Sequence, residues 1–252
     1  MITRRLHVLG LALAALFVLP PTLAAAADTQ VAVAANFTEP AKEIAAAFKA
    51  SSGHTAILSF GSSGQFYSQI AHGAPYEVFL SADADRPKKA EQDGVGVTGT
   101  RFTYAIGRLA LYSKDAALVD QGGAILGKGR FAKVAIADPA LAPYGVAAVQ
   151  TMRKLGVYEK VKPKIVMGTS IAQTYQFVHT GAAELGFVAW SQVINEPSGS
   201  RWLVPLADHT PIVQQAILLY PGQSNAAAKA FLTFLRSPTA LQIIKKHGYE
   251  AP

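Results

Sequence analysis

The chain has 252 residues, half of them apolar, enough for one large or two medium domains with a sizeable core. It has no cysteine, so disulfides do not hold it together and thiolate metal sites are excluded. The formal charge of +7 falls to about +5 once Arg4 and Arg5 are set aside, and the other basic residues are scattered, not striped with aromatics, which argues against a nucleic-acid-binding face.

Residues 1–27 open with Arg4-Arg5, continue in an apolar run broken at Pro20-Pro21, and end in an alanine-rich zone. This is the pattern of a secretory signal cleaved near Ala26 or Ala27. No second apolar run of membrane-spanning length follows, so the mature protein is expected to be exported and soluble.

After Asp28 the elements alternate. "QVAVAAN" reads as a strand, and "EPAKEIAAAFKASSG" as a helix with Pro40 at its start and Gly53 past its end. "TAILSF", "GQFYSQIAHG", "YEVFLSAD" and "ADRPKKAEQDG" continue as strand, helix, strand, helix. "RFTYAIGRLALYSK" is a long strand-favouring run with Gly107 in its middle, suited to leaving one lobe and entering another. A second series follows: "KVAIADP", a helix from "PYGVAAVQTMRKLGVYEKV" starting near Val146, then "KIVMG", "SIAQTYQFVHTG" and "LGFVAW". "EPSGSRW" reads as a polar turn, "PIVQQAILLYPG" as a return crossing, and the tail as two helices joined at Ser237-Pro238. Alternation of this kind predicts α/β architecture with mostly parallel sheets flanked by helices. The lobes are expected at residues 28–109 with 213–252, and at 110–212. Ligands of such sheets sit beyond the carboxyl ends of the strands, so the cleft between the lobes is the place for a site.

Three kinds of chemistry compete for the notable motifs. Gly61-Ser62-Ser63-Gly64 sits where a strand hands over to a helix, but its second glycine is one place early for a nucleophile elbow. A serine hydrolase also needs a placed histidine, and none of the five histidines after the leader lies in a strand-end loop. "GGAILGKGR" approaches a phosphate loop but has Gly129 where the magnesium-binding hydroxyl belongs, so it reads as a Gly-rich loop. "SADADRP" has the carboxylates Asp83 and Asp85 but suits a helix cap better than a metal site, and no histidine pair has ligand spacing. There remain four strand-to-helix turns with small or hydroxyl residues: Asn36-Phe37-Thr38, Gly61 to Gly64, Ala142 to Gly145, and Gly168 to Ile171. Each alone is an ordinary N-cap. Aimed at one point, their unpaired N–H groups would hold a small oxyanion without lysine or arginine.

At these residues the chain resembles the periplasmic molybdate-binding proteins that serve ABC importers. The matching pieces are "VAVAANFTEPAKEIAAAF", "SFGSSGQFYSQIAHGAPYEVFLSAD", "RFTYAIGRLALYS", "IADPALAPYG", "ELGFVAWSQV", "PIVQQAIL" and "RSPTALQIIKKHGY", in order along nearly the whole chain after the leader. The resemblance implies a two-lobed periplasmic binding fold and no enzymatic activity. It also implies molybdate or tungstate as the cleft ligand, a membrane permease as partner, and no cofactor or metal beyond the molybdenum of the oxyanion. Carried over by position, it implies Asn36 from the first turn and the hydroxyl and amide of Ser63 from the second. Tyr144 and Ile171 would act through their backbone N–H groups, which moves the fourth arm from Thr169 and Ser170 onward to Ile171. Hydroxyl donors of some relatives are missing here, at Ala35 and Ala189. The mature protein is expected to be a periplasmic monomer. A binding protein for sulfate or phosphate, or a serine hydrolase, is the alternative.

Overall fold

The computed structural model describes residues 26–250. All of the expected leader except Ala26 and Ala27 lies outside the described residues.

Two five-stranded sheets organise the chain. The first begins with β1 (Asp28–Ala34), α1 (Thr38–Ser52), β2 (Thr55–Gly61), α2 (Ser63–Ala71), β3 (Val78–Ser81), α3 (Asp85–Gln92) and β4 (Phe102–Gly107). The chain then crosses at Arg108 into β5 (Leu109–Ser113), α4 (Ala124–Lys128), β6 (Val134–Ala137), α5 (Pro143–Lys154), α6 (Tyr158–Val161), β7 (Ile165–Gly168), α7 (Ile171–His179), β8 (Leu185–Ala189), α8 (Trp190–Val193) and β9 (Ser200–Leu203). It returns for β10 (Ile212–Leu218), α9 (Ala226–Phe234) and α10 (Pro238–Lys246).

The sheet orders are β2-β1-β3-β10-β4 and β7-β6-β8-β5-β9. In the first, β1 runs parallel to β2 and β3, while β10 is antiparallel to both β3 and β4. The second repeats this: β6 is parallel to β7 and β8, and β5 is antiparallel to β8 and β9. The parallel βα units expected from the alternation therefore form three strands of each sheet, and antiparallel strands complete it. The long run around Gly107 splits into β4 and β5, one per sheet, as a crossing segment should. The return differs from expectation: it passes through residues 204–211, and β10 lies wholly in the first sheet. "EPSGSRW" also differs, since Ser200–Leu203 pairs with β5 as an edge strand.

Local chemistry sets the helix boundaries. Ser237 caps α10, accepting from Ala240 N–H at 3.2 Å, with Pro238 at the first helical position. Asp83 accepts from Arg86 N–H at 3.0 Å at the head of α3, so the acidic stretch is a helix cap. α5 starts at Pro143, three residues before the expected Val146, because proline is pre-set for a first helical position. Gly145 permits this start: a Cβ there would lie 2.0 Å from the Ala137 carbonyl at the end of β6.

Apolar side chains fill both lobes. Val31, Val33, Phe37, Ile44, Phe48 and Leu80 are buried in the first, and Leu109, Leu111, Val134, Ile136, Phe187 and Trp202 in the second. The second core continues through Ala142, Tyr144 and Ile171 to Ala34, Ala35 and Ala82 of the first lobe, so the lobes meet across packed apolar surface. Among the described residues no helix is long and apolar enough to cross a membrane.

Candidate oxyanion site

The carboxyl ends of β1, β2 and β3 face those of β6 and β7 across the interlobe contact. A small cavity of about 10 Å³ lies between them. Its wall includes Asn36, Ser63 and Ala82 from the first lobe and Ala142, Tyr144 and Ile171 from the second. All four residues singled out from the sequence, Asn36, Ser63, Tyr144 and Ile171, thus come together at one point. None of the lining side chains is charged.

Each arm is built locally. Ser62 caps α2: its Oγ accepts from Gln65 N–H at 3.3 Å and donates to Gln65 Oε1 at 2.9 Å. That exchange occupies Ser62 and leaves Ser63 as the first helical residue. Ser63 Oγ accepts the N–H of Ala82 at 2.9 Å, which leaves its own proton free to donate. In α7, Ser170 Oγ accepts from Gln173 N–H at 3.2 Å and Gln173 Oε1 accepts from Thr169 N–H at 2.7 Å. Thr169 and Ser170 are therefore spent on the cap, and neither is on the cavity wall; Ile171, the first helical residue, is. Tyr144 is the second residue of α5, behind Pro143. The first N–H groups of a helix have no intrahelical acceptor, so Ser63, Tyr144 and Ile171 each bring such a group to the wall.

The lobes are also bonded to each other at the rim. Gly64 N–H donates to the Leu141 carbonyl at 2.9 Å. Arg86 Nη2 donates to the Ala140 carbonyl at 2.9 Å, while its Nη1 pairs with Asp83.

Behind the wall lies a buried polar network that sequence reasoning missed. Gln214 Oε1 accepts from Asn36 Nδ2 at 2.9 Å and from the Tyr104 hydroxyl at 3.0 Å, and its Nε2 donates to the Tyr144 hydroxyl at 3.3 Å. The signal was present in β10, where period-two parity places Gln214 with Ile212 and Ala216 on the core side. Burial pushes the phenols of Tyr104 and Tyr144 well above their ordinary range and that of Tyr249 up to about 12, so the network is uncharged near neutral pH.

The competing chemistries do not find their parts. No histidine lines the cavity. His54 accepts from Ala27 N–H, His72 meets the Ser68 carbonyl, His179 meets Tyr175, His209 meets the Thr210 carbonyl, and His247 pairs with Glu43. Asp138 accepts from Ala140 N–H at 2.9 Å within its own turn and is not on the wall. In the Gly-rich segment, Lys128 ends α4 and pairs with Asp120 at 2.7 Å. Among the described residues no group of three or more His, Asp or Glu is placed to hold a metal ion.

Comparison with known proteins shows the family and the fold. The family model for bacterial extracellular solute-binding proteins matches residues 29–250. The molybdate-binding protein ModA of Rhodobacter capsulatus is 58% identical over 226 residues, covering 90% of this chain and 89% of the relative. ModA of Azotobacter vinelandii is 52% identical over 229 residues, covering 90% and 91%. Among solved structures, the periplasmic molybdate-binding protein of Azotobacter vinelandii superposes with a TM-score of 0.86 at 40% identity, covering 89% of this chain and 99% of that one.

Proposed function

The chain belongs to the bacterial extracellular solute-binding proteins, and from that premise we propose that it captures molybdate in the interlobe cavity and delivers it to the permease of an ABC importer. It is a transport component and not an enzyme. The observation that carries the ligand class is the convergence of three helix starts and the Asn36 turn, from both lobes, on one small wall without charge. Neutral donors suit an anion that stays fully ionised when bound, each bond to it being worth roughly 1.5–3 kcal/mol. A protonated phosphate would need an acceptor for its proton, and the wall has no carboxylate. Sulfate is a smaller tetrahedron and could not reach donors fixed on both lobes at good distance. Tungstate, nearly the size of molybdate, is bound as well.

Asn36, Ser63, Tyr144 and Ile171 are the proposed ligand residues, Ser63 through its hydroxyl and N–H, the others through backbone N–H. The proposed hinges are the crossing at residues 107–109 and the return through 204–211; the lobes they divide follow the expected 28–109 with 213–252 and 110–212 except that Leu109 stands in the second sheet and Ile212 in the first. The ligand bridges both lobes only when they meet, so its differential affinity shifts the population toward the closed form. The mature protein works in the periplasm as a monomer. Calorimetry on the mature chain with molybdate, tungstate, sulfate and phosphate tests the reading. Tight binding of the first two with weak or absent binding of the last two is expected, and sulfate binding as tight as molybdate overturns it.

A further inference from the structure

The C-terminal "HGY" has no part in the site as described. α10 ends at Lys246, and Gly248, at a left-handed φ of +79°, turns the chain inward. Tyr249 is thereby buried beside Asn36. The phenol meets residue 36 twice. Asn36 Nδ2 donates to its oxygen at 3.0 Å, and the hydroxyl lies 2.6 Å from the Asn36 carbonyl as donor. The other Nδ2 proton goes to Gln214. An amide nitrogen has two protons, so the Asn36 side chain has none left for a ligand. What residue 36 can offer the cavity is its backbone N–H.

Ser191, on α8 of the second lobe, completes the arrangement. Its hydroxyl is 2.9 Å from the Asn36 carbonyl and 3.0 Å from the Tyr249 oxygen. The phenol has one proton, which serves the carbonyl directly or passes to Ser191 while Ser191 donates to the carbonyl. Either way the carbonyl of residue 36 is held, and the second route exists only when the lobes touch.

The need for such a device is visible in the caps. α2 is held by Ser62 with Gln65, α7 by Ser170 with Gln173, and α5 by Pro143. The turn Ala35–Phe37 has no side-chain cap, and neither does α1 behind it. We propose that Tyr249 is the positioning residue for this turn: it fixes residue 36 so that its backbone N–H faces the oxyanion, and through Ser191 it ties that fixing to lobe closure. The inference rests on the oxyanion reading above.

Tyr249→Phe tests it, because the ring keeps its edge contact with Phe37, 5.2 Å between centroids, and only the hydroxyl goes. Molybdate is titrated by calorimetry into the mature chain, and sulfate affinity is measured by competition with molybdate. Molybdate should bind about tenfold more weakly, the size of effect one well-placed hydrogen bond gives. Sulfate should weaken less, so the preference narrows. Ser191→Ala, at a half-buried position, should weaken molybdate binding by itself and cost less in the Tyr249→Phe background than alone, since both act on one carbonyl. Unchanged molybdate affinity in Tyr249→Phe, or equal weakening of both anions with a lowered unfolding temperature, overturns the positioning role. Failure of the unmodified protein to bind molybdate overturns the oxyanion reading itself.

Discussion

Gly64→Ala sets helix stability against lobe closure and predicts opposite signs for the two. Gly64 is the second residue of α2 and has ordinary helical backbone geometry, so alanine suits it better within its own lobe. The gain is up to about 1 kcal/mol in a helix interior and less in a first turn. Across the cleft the balance reverses. A Cβ at Gly64 would lie 3.0 Å from both Cα and the carbonyl oxygen of Leu141 and 3.1 Å from Arg86 Nη2. Two of those neighbours are backbone and the third is the group that holds Ala140, so the lobes must separate by a few tenths of an ångström. The Gly64 N–H bond to Leu141, 2.9 Å long, is then stretched or lost. One neutral hydrogen bond is worth about 0.5–1.5 kcal/mol, which is about a twofold to tenfold loss of affinity when it forms only on closure. Calorimetry with molybdate and thermal unfolding without it read the two effects separately. The unliganded unfolding temperature should stay constant or rise by about 2 °C, while the molybdate affinity falls. An affinity equal to the parent's refutes the argument, and so does a joint fall of affinity and unliganded stability, since that would place the clash inside one lobe.

The two serines of the first-lobe turn should separate cleanly. Ser63→Ala removes a donor to a charged ligand and should weaken molybdate binding about 10- to 100-fold by calorimetry. Ser62→Ala removes only a cap, lowering stability by about 1 kcal/mol with affinity changed less than threefold. Molybdate affinity should be nearly flat between about pH 6 and 9, because no lining side chain titrates there; a steep drop in that window would reveal a charged ligand residue. Alkaline stability should behave differently. Burial raises the phenol of Tyr249 to about 12, and those of Tyr104 and Tyr144 rise with it, above the ordinary 10.0. The folded state then binds more protons than the unfolded one, so stability complete below about pH 10 should be lost as pH climbs toward 12, with denaturant midpoints as the readout. On the acid side, hydrogen bonds from Lys246 and His247 hold the Glu43 carboxyl below its ordinary 4.5. Its contribution is present above that value and lost as pH falls through the lowered one, and Glu43→Gln should flatten that limb of the stability profile.

What the sequence disclosed and what it hid follow from range. Caps, turns and the alternation of elements are decided by residues within four positions of one another, so the helix after Ser62 and the pair of helices around Ser237 could be read directly. Gly107 marked the crossing for the same reason. Reading alone also placed the fourth arm at Thr169 and Ser170, since hydroxyls look like donors; the Ser170 hydroxyl and the Thr169 N–H are taken up by Gln173 at the head of α7, and the group that reaches the wall is the N–H of an isoleucine, which has no signature in a side-chain alphabet. The edge strand at Ser200–Leu203 escaped because its pairing with β5 spans about ninety residues and because the turn formers Pro197, Ser198 and Gly199 directly before it dominate the local signal. The buried network is harder still. Asn36, Gln214 and Tyr249 are 178 and 213 residues apart from the first to the others, and each is unremarkable alone. Only parity in β10 hinted that a polar side chain faces the core, and a buried amide needs partners for both its protons and its oxygen. That requirement, applied to Gln214 once its burial is known, leads to Asn36, Tyr104 and Tyr144. Applied in turn to Asn36, it leads to Tyr249 and ties the segment after α10 to the first strand-end turn of the chain.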